Sequence, residues 1–178
     1  MHPPLAKLSF LVLDDNPNMA AIMRVVLKGF GADQIFEASS AADAFEMVRR
    51  HGIDLAFVDY NLGGLDGLAF LRLMRTAQDS PNPHLPMIML SAYSEKHRVE
   101  AARDAGAHDF LVKPVTPIEV YRKILTLIET PRPFVRSETF FGPDRRRHDD
   151  ATYAGEERRA DARAAEEAAS DAPEALAG

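Results

Sequence analysis

The chain predicts an α/β fold, a doubly wound parallel β-sheet with helices on both faces, closing near residue 130 and followed by a tail of different character. Two observations carry this. Short apolar runs alternate five times with stretches of helical periodicity, the pattern of repeated βα units. After Thr130 that alternation stops and the sequence turns rich first in Pro and Arg, then in Ala, Glu and Arg.

The elements follow in order. The run "LSFLVLDD" (8–15) reads as a buried strand. Asn16-Pro17 supplies an N-cap and a proline at the first helical position, opening a helix with Met19, Met23, Val26 and Phe30 on one face. "QIFEA" (34–38) is a second strand, and Ala41, Ala44, Phe45 and Val48 follow at helical spacing. "DLAFVD" (54–59) is a third strand, followed by the loop "NLGGLDG" and a helix through Leu68, Leu71 and Met74. "LPMIMLSA" (85–92) is the fourth, with a helix from about 95 to 105, and "HDFLVKP" (108–114) the fifth. Thr116-Pro117-Ile118-Glu119 is a capping box with Pro at its first helical position. It starts a last helix with Ile118, Tyr121, Leu125 and Ile128 on one face.

Composition narrows the function classes. The chain has 178 residues, 46% hydrophobic and 27% charged, the balance of a globular domain with an appendage. It has no Cys, which excludes disulfides and thiolate metal sites and fits a reducing cytoplasm. The N-terminal apolar run is too short for a secretory signal, and no stretch is long and apolar enough to span a bilayer. The expectation is a cytoplasmic protein with no membrane partner. The net charge of −6 is uneven: −3 over residues 1–130, +3 over 131–147 and −6 over 148–178. All 8 basic residues after position 130 are Arg, the residue suited to planar, bidentate or stacking recognition.

In open α/β sheets, ligands bind beyond the carboxyl ends of the strands, where the strand order reverses. Asp14 and Asp15 end the first strand and Asp59 the third, and these are neighbours in a flavodoxin-like order 2-1-3-4-5. Three converging carboxylates repel one another unless a hard cation such as Mg2+ joins them. Ser91 ends the fourth strand with a hydroxyl and Lys113 the fifth with an ammonium. Singly, these are a solvated turn, a helix cap and a surface lysine. Together they suit a phosphoryl group whose charge the cation and Lys113 neutralise.

Residues 8–130 resemble a CheY-like response-regulator receiver domain. The resemblance rests on Asp14-Asp15, on Asp59 in "FVDYNLGGLDG", on Ser91-Ala92, and on Phe110 and Lys113-Pro114 in "AGAHDFLVKP". The spacings agree as well: 44 residues from Asp15 to Asp59, 19 from Ser91 to Phe110 and 3 from Phe110 to Lys113. The resemblance implies that Asp59 is the phospho-acceptor, with a histidine kinase as donor. It also implies that Mg2+ is held by Asp15, Asp59 and the Asn61 carbonyl, with Asp14 assisting through water. Ser91 and Lys113 would contact the phosphoryl oxygens, Phe110 would be the switch aromatic, and the Lys113–Pro114 bond would be cis, aiming the ammonium inward. The loop "QDSPNPH" is somewhat long for the family.

No output domain is expected after the receiver-like region, so signalling is expected to fall to the surface of residues 1–130 or to the tail, and the protein is expected to be an adaptor and not an enzyme. The tail divides into an extended segment, 131–153, expected not to pack, and an Ala/Glu/Arg-rich end, 154–178, able to form a helix on propensity but with little to bury. Within "FFGPDRRRHDD", Arg forks onto phosphate or guanine, Phe stacks on bases, and Asp accepts from guanine N–H groups. Acids interleaved with arginines suit a compact guanine nucleotide better than a long polyanion, so DNA or RNA is not expected as a partner. Arg136-Ser137 and "GPDRRR" resemble the arginine-rich tail of the Cle family of cyclic di-GMP effectors. Arg146 to Asp149 and Arg147 to Asp150 read R-x-x-D, similar to the inhibitory site of diguanylate cyclases. This chemistry and this resemblance together give an expected cyclic di-GMP site of Arg136, Phe140, Phe141, Asp144, Arg145, Arg146, Arg147 and Asp150, and the resemblance implies a flagellar motor switch component or another protein as target. The alternatives are a passive solvated tail on a phosphorylation-driven regulator, or an RNA- or DNA-binding arginine block. Arg158, Arg159 and Arg163 either join the site or pair with acids along a helix.

Overall fold

Five strands pair in parallel in the order β2-β1-β3-β4-β5. They are β1 (Ser9–Leu13), β2 (Gln34–Ala38), β3 (Leu55–Asp59), β4 (Met87–Ser91) and β5 (Asp109–Val112). The computed structural model describes residues 5–63, 66–137 and 139–144. Five helices alternate with the strands: α1 (Pro17–Gly29), α2 (Ala41–Arg50), α3 (Gly67–Thr76), α4 (Lys96–Asp104) and α5 (Pro117–Glu129). The fold class and strand order are those the sequence predicts. The strands are shorter than the apolar runs because the residues beyond them belong to loops at the sheet's two ends.

Strand alternation divides the core in two. Leu11, Leu13, Ala56, Val58, Met87 and Met89 face α2, α3 and α4, where Ala44, Val48, Leu71, Met74 and Ala102 are buried. Phe10, Val12, Leu55, Phe57, Ile88 and Leu90 face α1 and α5, meeting Met23, Leu27, Val120 and Ile124. β1, β3 and β4 are buried along their whole length because both faces are covered.

The helix starts follow their caps. Asn16 accepts from the backbone N–H groups of Asn18 and Met19, and Thr116 and Glu119 form the reciprocal box. The last helix turns differently from its expected face. Ile118 is 53% exposed, and the inward stripe runs through Val120 and Ile124, flanked by Tyr121, Leu127 and Ile128. Ile118 stands in the first turn, off that stripe.

Of the segment 131–153, expected to run extended without packing, the described part, as far as Asp144, is extended but packed. Residues Phe134–Arg136 (β6) and Phe141–Pro143 (β7) form an antiparallel pair. Ser137 N–H donates to the Phe140 carbonyl at 2.8 Å, and Asp144 N–H to the Pro133 carbonyl at 2.8 Å. The pair sits at the amino end of the sheet. The Phe134 ring lies 4.7 Å from His84, 5.3 Å from His108 and 5.4 Å from Phe141, with the Arg75 guanidinium 5.2 Å away. A Cβ at Gly142 would lie 3.1 Å from the Gly106 Cα and press on the tip of the Phe140 ring, so glycine lets the two backbones approach without displacing either. Burial of this patch depends on partners such as His108, His84 and Arg75, which lie 26, 50 and 59 residues before Phe134 and which local pattern does not reveal.

Candidate functional site: an acidic pocket closed by a lysine

The carboxyl ends of β1, β3, β4 and β5 meet at one end of the sheet. Asp14, 2% exposed, hydrogen-bonds its backbone N–H to the Ala38 carbonyl and accepts from Asn16 N–H through Oδ1 at 2.9 Å. Its Oδ2 meets Lys113 Nζ at 2.8 Å. Asp59, also buried, meets the same ammonium through Oδ1 at 2.9 Å. Lys113 therefore lies between two carboxylates, from a backbone whose N–H donates to the Ser91 carbonyl at 2.7 Å. The Lys113–Pro114 peptide bond is cis.

Asp15 stands at the solvent side, its Oδ2 accepting from Gly63 N–H at 2.8 Å. One carboxylate oxygen from each of Asp14, Asp15 and Asp59 lies within 4.8 Å of the others. With one ammonium among three carboxylates the pocket keeps an excess of negative charge, and its donors are hard oxygens. That set fits a small divalent cation such as Mg2+. Asn61 is exposed in the loop after β3. Gly64 and Leu65 of that loop lie outside the described residues.

Burial drives the Asp59 carboxyl above its ordinary value. The Lys113 ammonium pulls it back, and Asp14 pushes it up again. For Lys113, burial disfavours the charge but the bonds to Asp14 and Asp59 outweigh it, so its pKa is raised.

Ser91 is fully buried, and its Oγ accepts from Tyr93 N–H at 3.1 Å. Phe110 is half-buried and packs against the part of the core that lies between the sheet and α2, α3 and α4. The loop is held by its own contacts: Tyr60 N–H donates to the Leu90 carbonyl and its carbonyl accepts from Gly67 N–H. Arg98 of α4 packs between two rings near this mouth, 5.0 Å from Tyr60 and 4.6 Å from Tyr93.

The family model for the response regulator receiver domain matches residues 10–125. The chain belongs to that family. Among relatives of its receiver, the chemotaxis protein CheY of Pseudomonas aeruginosa is 29% identical over 122 residues, 68% of this chain and 97% of the relative. Chemotaxis protein CheY-3 of Vibrio cholerae is 27% identical over 122 residues, 68% of this chain and 92% of the relative. A putative response regulator from Chloroflexus aurantiacus superposes with a TM-score of 0.63 at 28% identity, covering 69% of this chain and 99% of that one. Vibrio cholerae CheY4, at 20% identity and a TM-score of 0.61 over 66% of this chain and 95% of that one, shares the fold. The family match ends before the β6–β7 hairpin.

The tail residues separate into two groups. Arg136, Phe140, Phe141 and Asp144 lie on or beside the hairpin, with the Arg136 guanidinium 4.7 Å over the Phe141 ring. Arg145, Arg146, Arg147 and Asp150 lie outside the described residues, as do Arg158, Arg159 and Arg163. The hairpin is at the end of the sheet opposite Asp59. Sequence reasoning missed two residues there. Arg75 is 3% exposed and His108 6% exposed, yet both are polar. The signal for Arg75 was present: it falls at i+4 from Leu71 and i+7 from Leu68, on the buried stripe of α3. Among the described residues no helix is long and apolar enough to cross a membrane.

Proposed function

We propose that this receiver takes a phosphoryl group on Asp59 with Mg2+ bound, and signals through protein–protein contact as an adaptor, not as an enzyme. The observation that carries the reading is Lys113 Nζ held at 2.8 Å from Asp14 and 2.9 Å from Asp59 beside the exposed Asp15. Asp14, Asp15 and Asp59, with the Asn61 carbonyl, would hold the cation, which supplies charge neutralisation when bound. An Asp59 oxygen bonds to phosphorus as the donor's phosphorus–nitrogen bond breaks, and the electron pair leaves with the imidazole nitrogen of a kinase histidine. Lys113 then turns from the carboxylates toward phosphoryl oxygens, and Ser91 exchanges the Tyr93 N–H for the same group. Phe110, lacking a hydroxyl, follows by packing alone. Beryllofluoride with Mg2+ should shift the amide resonances of Ser91, Phe110 and Lys113, and Asp59→Asn should abolish the shift. A silent titration of the wild-type chain refutes this reading.

A second reading is favoured by Arg136 stacked on Phe141 beside Phe140, with only Gly142-Pro143 between those rings and the "DRRR" block. In it the tail binds cyclic di-GMP, and the liganded protein addresses a flagellar motor switch component or a comparable target. The chemotaxis proteins among its relatives support motility control as the output. Calorimetry with cyclic di-GMP should give heat that survives Asp59→Asn and disappears when Arg145, Arg146 and Arg147 are all replaced by Ala. No heat at micromolar ligand removes this reading and leaves the first intact.

A further inference from the structure

Between the hairpin and the end of α3 lies a cavity of about 470 Å3 lined by Arg75, Gln78, Arg136, Ser137, Thr139 and the Phe140–Phe141 wall. Its floor is unusual. The buried Arg75 guanidinium donates from Nε and Nη2 to the Gly106 carbonyl at 3.1 and 2.8 Å, from Nη1 to the Pro83 carbonyl at 2.8 Å and from Nη2 to the Leu85 carbonyl at 2.9 Å. A guanidinium has five N–H donors. One of the two on Nη1 meets no acceptor among the described residues, and the ion pairs found there include none to Arg75. Its acceptors are backbone carbonyls, so its charge faces no carboxylate in that set. His108 Nδ1, 3.4 Å from Nη2, also accepts from Met87 N–H at 3.3 Å, the arrangement of a neutral imidazole that adds no negative charge. Arg136 is likewise without an ion pair among the described residues, one face of its guanidinium on Phe141.

We infer that this cavity binds a nucleoside monophosphate unit, its phosphate drawn to Arg75 and Arg136 and its base laid on the Phe140–Phe141 wall. The chemistry is that of the lining. Two cations with unspent donors select an anion that accepts through several oxygens. Aromatic surface selects a flat ring. Gln78, Ser137 and Thr139 supply the donors and acceptors that a base edge or a sugar requires. The volume exceeds that of a bare phosphate and suits a mononucleotide. The inference rests on the guanine-nucleotide reading of the tail for its class of ligand. It adds to that reading a floor supplied by the receiver itself, through a residue outside the tail.

The probe is guanosine monophosphate, titrated into the full-length, 15N-labelled chain. The amides of Thr76, Gln78, Ser137 and Thr139 should move in one saturable transition. Arg75→Lys keeps the charge but loses the fork and should weaken binding at least tenfold. Gln78→Trp fills the cavity from an exposed position, breaks none of the Arg75 bonds and should abolish the shifts. Silent amides in the wild-type chain overturn the inference, and equal shifts from inorganic phosphate at the same concentration overturn the nucleotide assignment. A cyclic di-GMP heat that depends on Arg145, Arg146 and Arg147 but is unchanged in Gln78→Trp sinks the cavity and spares the tail reading. Guanosine monophosphate shifts lost in Gln78→Trp, with no cyclic di-GMP heat, do the reverse.

Discussion

At Asp59, burial and, less strongly, Asp14 raise the pKa, Lys113 and the Tyr60 backbone lower it, and the sum is a raised value. A carboxyl whose folded pKa lies above its unfolded value of 3.8 makes the folded state the better proton binder. Its contribution to stability is therefore full below the unfolded pKa and lost as pH rises through the folded one. At neutral pH the charge on Asp59 costs stability. Asp59→Asn should raise the thermal midpoint by roughly 2–6 °C in EDTA at pH 7, the scale of about 1 kcal/mol in a domain of this size. A lower midpoint for the variant would contradict this balance of terms. His108 works in the opposite pH direction. Burial, with Arg75 and Arg132 nearby, holds it down to about 3 from 6.5. A depressed histidine gives stability that is complete above pH 6.5 and is lost as pH falls toward 3. The slope approaches about 1.4 kcal/mol per pH unit. Urea melts between pH 7 and 4 should show this acid limb, and His108→Gln should flatten it.

Among the elements, the β3–α3 connection is the most constrained. A Cβ at Gly67 would collide with the backbone carbonyl of Asp59, and neither side of that contact is a flexible side chain. Gly67→Ala should cost about 2–4 kcal/mol in chemical denaturation and displace Asp59. A neutral substitution would show that the loop can shift without cost. Most of this level was legible in the sequence. β2 is placed to the residue, the caps at Asn16 and Thr116 hold, and Asp14, Asp59 and Lys113 meet because each ends a strand. The hairpin was not legible, since "PFVR" and "FGP" carry no periodicity and their burial is fixed by His84, His108 and Arg75. The exposed Ile118 was misjudged because the helix is apolar at several angles, and spacing does not say that the stripe through Val120 and Ile124 is the one that meets the sheet.

For the whole molecule, the packed unit extends past the last helix of the receiver. Phe134 joins α3, the loop before β4 and the start of β5 through Arg75, His84 and His108. A chain ending after Thr130 should therefore be less stable than one ending after Asp144, by about 1–3 kcal/mol, the scale of losing a half-buried aromatic. Phe134→Ala in the full chain should reproduce much of that loss. Equal urea midpoints for the two truncations would show that the hairpin rests on the surface without supporting it.

The hairpin and the acidic pocket occupy opposite ends of the same strands, and β4 runs between them for five residues, about 17 Å. The proposed phosphoryl group and nucleotide, so placed, would not compete for space, and both could be held at once. Any conversation between them passes through the strands, and thermodynamic reciprocity makes it symmetrical. If a phosphoryl group at one end tightens the grip at the other tenfold, a nucleotide there lengthens the equilibrium hold on the phosphoryl mimic by the same factor. The molecule would then read coincidence, answering fully only when two messages arrive together.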